Sequence, residues 1–145
     1  MADKVLVPVD RSEQARKAFD WAVEEFDDSH LVLLHVIEPL NVRFLEKSEM
    51  EGKRLSIDER YEKVLDETEA FLSRLVDEAE ESGVEASYDY IDGKPSQRIV
   101  EYAEEENVDH IVVGSHGRSG VARVLLGSVA EKVARRSPVP VTVVR

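Results

Sequence analysis

Five short apolar runs, at Lys4–Val9, Leu31–Ile37, Val84–Ile91, Ile111–Val113 and Val139–Val144, alternate with stretches of helical periodicity. Strands that alternate with helices specify an open parallel sheet covered by helices on both faces. Such strands are buried on both sides, so they read as continuous apolar runs rather than as alternating ones. Leu31–Ile37 has this character, broken only by His35, which reads as a satisfied core histidine. Between the runs, Ala15, Ala18, Phe19, Ala22, Val23 and Phe26 share one helical face, and Ile57–Glu81 is a long amphipathic helix with an acidic, solvated side. Ser82-Gly83 ends that helix, and Val84–Ile91 patterns less cleanly, as an edge strand does. Pro95 suits the first turn of a helix that carries Ile99, Tyr102 and Ala103 inward and closes at Asn107. Glu38–Ser56 has weak periodicity and reads as a long loop, either a lid or a connector.

Right-handed crossovers leave a crevice at the carboxyl ends of the strands, where strand order reverses. The first strand ends there at Asp10 and the fourth at Gly114. Asp10 has two readings, a helix N-cap with Glu13 three residues on, or a ligand contact. After Gly114 the chain runs Ser115-His116-Gly117-Arg118-Ser119-Gly120, and Gly127-Ser128 follows. Ser128 and Glu131 have the spacing of a capping box, which predicts a helix start. Loop amides beside a helix N-terminus form an anion site, most naturally for phosphate. Of the four histidines only His116, inside the glycine loop, has a ligand reading, and none has metal-ligand spacing.

Charge supports an anion site. Gly114 to Arg136 holds five basic residues against one acid, within a chain of 19 basic and 31 acidic residues and net charge −12. Arg135 and Arg136 also fit a plain role at a helix C-terminus. The P-loop pattern G-x-x-x-x-G-K-[ST] and the dinucleotide fingerprint G-x-G-x-x-G are both absent. The acidic balance argues against a nucleic-acid partner. There is no cysteine and no apolar run of signal or membrane length, so a soluble, cytoplasmic, single-domain chain spanning 1–145 is expected. Twelve arginines against seven lysines, with abundant acids, hint at a salt-adapted source.

Gly114-x2-Gly117-x9-Gly127-Ser128 resembles the glycine signature of the ATP-binding branch of the universal stress protein family. Val5-Leu6-Val7-Pro8-Val9-Asp10-x-Ser12 is similar to that family's opening strand and loop, and Ser137–Arg145 to its last strand. The likeness spans the chain and is weakest in the middle loop. It implies a three-layer α/β/α, Rossmann-like fold with a five-stranded parallel sheet in the order 3-2-1-4-5. It further implies ATP, with adenine near Val9 and Val36 and ribose near Asp10 and Gly114. Phosphates would lie on Gly117, Arg118, Gly127 and Ser128, with Pro8, Ser12, Ser115, His116 and Val129 flanking these contacts. Mg²⁺ would accompany the triphosphate, since it shares the phosphate charge and needs few protein ligands. An antiparallel homodimer through strand 139–145 is implied as well.

Three functions follow from this reading. The first is a nucleotide-dependent regulatory module of the stress response. The second is a slow ATP hydrolase or phosphotransferase, for which only His116 and Asp10 stand as candidate bases. The third is a dimeric interaction module that works without nucleotide. The retained glycine signature ranks the third reading last, and no arginine–carboxylate arrangement identifies a water-activating base, so a binding module is expected ahead of an enzyme. Arg11 stands where many relatives have glycine, and it either reaches a phosphate or points to solvent.

Overall fold

The computed structural model of the chain describes residues 3–38, 57–115 and 126–145. Five strands, β1 (Lys4–Pro8), β2 (His30–Ile37), β3 (Ala86–Asp92), β4 (His110–Gly114) and β5 (Val141–Val144), form one sheet in the order β3-β2-β1-β4-β5. Every pairing is parallel. Four helices connect them among the described residues: α1 (Glu13–Glu25), α2 (Ile57–Glu81), α3 (Pro95–Glu105) and α4 (Ser128–Arg136). No helix among the described residues is long and apolar enough to cross a membrane.

The period of two along each strand sorts the apolar runs into two cores. Val5, Val7, Leu31 and Leu33 pack with Ala18 and Phe19 of α1 and with Leu72, Leu75 and Ala79 of α2. Leu6, Val32, Leu34 and Ile111 face the other way, onto Ile99 and Ala103 of α3 and Ala130 and Val133 of α4. Each inner strand therefore needs apolar residues at consecutive positions, which is why the runs are continuous. β3 covers an edge, and its mixed burial matches its broken sequence pattern. Gly83 adopts φ +80°, and the Val84 N–H reaches back to the Ala79 carbonyl at 3.0 Å, closing α2 as the Ser82-Gly83 pair predicts.

Helix starts differ from expectation in two places. Ser12, not Asp10, is the N-cap of α1, and its hydroxyl oxygen accepts the Ala15 N–H at 3.1 Å. Both residues suit a cap, and the extended backbone at Ser12 (φ −77°, ψ 156°) decides between them. The capping box at Ser128 does not form. Gly127 takes the cap position with no side-chain bond, Ser128 is already helical, and Glu131 turns to Arg135 at 2.6 Å. β3 and β5 each begin two residues later than the apolar runs that predict them, at Ala86 and Val141.

Candidate functional site at the β1–β4 switch

Strand order reverses between β1 and β4, because β2 and β3 lie on one side of β1 and β5 lies beyond β4. Beyond the carboxyl ends of these strands is a cleft with about 690 Å³ of empty space, its open mouth included. Pro8, Val9, Asp10, Val36, Gly114 and Val129, all expected at the site, line it together.

Each wall has a local cause. After β1, Asp10 makes an Asx turn, its Oδ1 accepting the Ser12 N–H at 2.8 Å, and this turn delivers the chain to the Ser12 cap. A carboxylate has about four lone-pair sites, more than this one bond uses. Gly114 ends β4 directly beneath α1. A Cβ there would lie 2.6 Å from the Gln14 carbonyl carbon and 3.1 Å from the Ala15 nitrogen, closer still to the Gln14 oxygen. Close packing of strand on helix backbone thus requires a glycine here by itself, and Gly114 also lines the cleft.

Ser115 is buried behind the cleft, and its Oγ accepts the Gly127 N–H at 3.0 Å. The Gly127 amide is therefore engaged within the protein. The donors that α4 offers are the next three, Ser128, Val129 and Ala130, whose N–H groups have no intrahelical acceptor. Ser128 is exposed and Val129 lines the cleft, so this helix terminus, with its partial positive charge, faces the open volume. His116, Gly117 and Arg118 lie outside the described residues, as do Arg123 and the segment 39–56.

Arg11 does not line the cleft; it is exposed, as its solvent reading expects, with its guanidinium 5.4 Å from the Phe71 ring centroid and 3.5 Å from the Glu67 carbonyl on α2. Arg135 and Arg136 occupy the last turn of the nine-residue α4, about 12 Å from its start. They complement the helix dipole rather than the anion site. Ser12 lines a neighbouring hollow between α1 and α2, with Arg11 and Phe71.

Sequence reasoning missed the remainder of the cleft. Pro95 and Ile99 of α3 and Glu38 after β2 line it, as does His35, whose Nδ1 is 2.7 Å from the Val9 carbonyl oxygen. The position of His35 near the carboxyl end of an inner strand was the available signal. No group of three or more His, Cys, Asp or Glu suited to a metal occurs among the described residues.

The universal stress protein family profile matches residues 1–145. The chain is similar to universal stress protein YxiE of Bacillus subtilis, 36% identical over all of both chains. It is similar to universal stress protein MJ0577 of Methanocaldococcus jannaschii, 32% identical across all of this chain and 96% of that one. The solved structure of MJ0577 superposes with a TM-score of 0.77, covering 98% of this chain and 94% of that one. A universal stress protein solved in complex with cAMP superposes with a TM-score of 0.68 at 26% identity, covering 99% and 97%.

Proposed function

The chain belongs to the universal stress protein family, and from that membership we propose that it is a nucleotide-binding regulatory protein that takes ATP with Mg²⁺ in the β1–β4 cleft. The observation that carries this reading is the convergence of Asp10 and Val129 on one cleft, which sets an acceptor-rich turn opposite the amino end of α4. The base lies in the apolar slot of Val9, Val36 and Ile99. Asp10 accepts a ribose hydroxyl, and the N–H groups of Ser128, Val129 and Ala130 hold phosphate oxygens. Gly117 and Arg118 of the glycine loop complete the phosphate contacts, and the metal is held chiefly by the triphosphate itself. The occurrence of cAMP in a structural neighbour supports an adenine nucleotide.

Ser128→Asp tests the reading. An acid in the first turn favours the helix by about 0.3–1 kcal/mol, so stability holds or rises. The same charge faces the phosphates, and calorimetry with ATP should show at least a tenfold loss of affinity. Undiminished binding by a stable Ser128→Asp protein places the phosphates elsewhere.

We also propose a homodimer paired antiparallel through residues 139–145. β5 is an edge of the sheet, and the Pro140 and Val144 carbonyls turn inward to Ile111 and Ser115 of the β4 side. Alternation then turns the N–H and C=O of Val141 and Val143 outward along the open edge, where a second copy can pair with them.

A further inference from the structure

We propose that His35 is a positioning residue: it ends the β1–β2 ladder one rung early and so leaves the Val36 N–H, at the position where the family resemblance puts adenine, without its backbone acceptor. The inference rests on the adenine-nucleotide reading above and concerns what keeps that donor available.

The register of β1 and β2 runs from Lys4↔His30 to Pro8↔Leu34 and stops. One more backbone bond follows, from the Val9 N–H to the Leu34 carbonyl at 2.8 Å. In a parallel ladder the next rung joins the Val36 N–H to the Val9 carbonyl. Val36 is oriented for it. Odd residues of β2 turn to β3, as the Leu31 N–H bonds Glu85 and the Ile37 carbonyl bonds Gly93; even ones turn to β1, as the His30 N–H bonds Asp3. Yet that rung is not among the backbone bonds of the described residues, and the Val9 carbonyl accepts from His35 Nδ1 at 2.7 Å.

A carbonyl only accepts, so Nδ1 carries the proton and the imidazole orientation is fixed. The side chain thereby replaces a backbone donor at Val9. Phe71 meets the ring edge-on with centroids 6.4 Å apart, which holds it from the α2 side. The consequence lies in the cleft. Val36 lines the cleft beside Val9 and Ile99, and no backbone acceptor for its N–H on the β1 side occurs among the described residues. A planar base with an acceptor ring nitrogen, such as N1 of adenine, satisfies that donor. A base protonated at the same nitrogen, such as hypoxanthine, leaves two donors facing each other.

Full-length wild-type, His35→Phe and His35→Asn proteins provide the test. Phe keeps the ring and loses the donor, whereas the Asn amide nitrogen occupies the place of Nδ1. Two readouts are taken: amide hydrogen exchange at Val36 without nucleotide, and calorimetric affinities for ATP and ITP. Wild type should prefer ATP by about tenfold, one hydrogen bond's discrimination. His35→Phe should lose that preference and protect the Val36 amide as the rung closes, and His35→Asn should behave as wild type. If His35→Phe does not fold, His35→Gln carries the same test, because its amide nitrogen reaches the place of Nε2 and misses the carbonyl. A retained ATP preference in the donor-less variant, or a Val36 amide that exchanges equally in all proteins, overturns the role of His35. Absence of ATP binding by wild type instead fails the nucleotide reading itself, and the Val36 exchange rates still report on the rung.

Discussion

The Ser115 hydroxyl oxygen accepts the Gly127 peptide N–H at 3.0 Å, tying the end of β4 to the start of α4 across twelve residues. Gly127 is buried there with φ −63°, a conformation open to any residue. The bond fixes where α4 begins, and hence where its free amides stand relative to the cleft. Ser115, between two glycines of the signature, secures its Gly127, and this bond matters whether or not either residue touches a ligand.

Ser115→Ala therefore leaves a buried N–H without its acceptor. The expected loss is about 1–3 kcal/mol in urea unfolding. Affinity for ATP should fall along with stability, because the amino end of α4 loses its anchor. Ser115→Thr, which keeps the hydroxyl, should recover part of both. Equal midpoints for wild type and Ser115→Ala would show that water takes over the bond at no cost.

Gly114→Ala tests whether this glycine serves packing. The added methyl meets the backbone of Gln14 and Ala15, with the Gln14 carbonyl carbon at 2.6 Å, and neither atom can rotate away as a side chain would. Overpacking of this kind costs about 1–3 kcal/mol. The amide resonances of Ser12 to Ala15 should move most, since α1 must lift from β4. A variant as stable as wild type, with those resonances unshifted, contradicts the contact.

These two residues show where the sequence is legible and where it is not. The strands are readable because burial on both faces forces unbroken apolar runs such as Val5-Leu6-Val7, and the helices because one face must stay apolar. Helix starts at Ser12 and Gly127 are not, since Asp10, Ser12 and Ser128 all carry cap-competent side chains and the backbone angle chooses among them. Gly114 of the glycine motif lines the cleft, yet its contact with the α1 backbone, like the bond that holds Gly127 to Ser115, depends on tertiary packing that glycine spacing does not encode. His35 is invisible to periodicity because its meaning lies in a ladder register, which depends on a partner strand distant in sequence.

His110 gives stability a pH dependence of known sign. Its Nε2 lies 2.8 Å from the Thr142 hydroxyl, and burial lowers its pKa from 6.5. The folded state then binds fewer protons than the unfolded state wherever the two differ, so stability falls as pH drops from 6.5 toward the lowered value. His110→Gln keeps an amide nitrogen at the place of Nε2 and removes the titration. Between about pH 7 and pH 5 the stability of wild type should decline more steeply than that of His110→Gln. Parallel curves in denaturant titrations across that range would remove His110 as the source.

Edge pairing through β5 can be separated from the integrity of the sheet. Because the carbonyls of Pro140 and Val144 serve the β4 side, the Val143 N–H faces the open edge. Val143→Pro removes that donor and leaves the bonds to β4 in place, as proline is tolerated on edge strands. The Thr142 backbone before it is already extended, the conformation that a following proline favours. Light scattering should then report half the mass of wild type, while circular dichroism stays the same. A dimer that survives Val143→Pro uses another surface, because antiparallel pairing of two identical edges loses one hydrogen bond from each copy and takes up two pyrrolidine rings at the interface. Nucleotide affinity is expected to hold in the monomer, since Val143 is not among the residues that line the cleft at Asp10 and Val129.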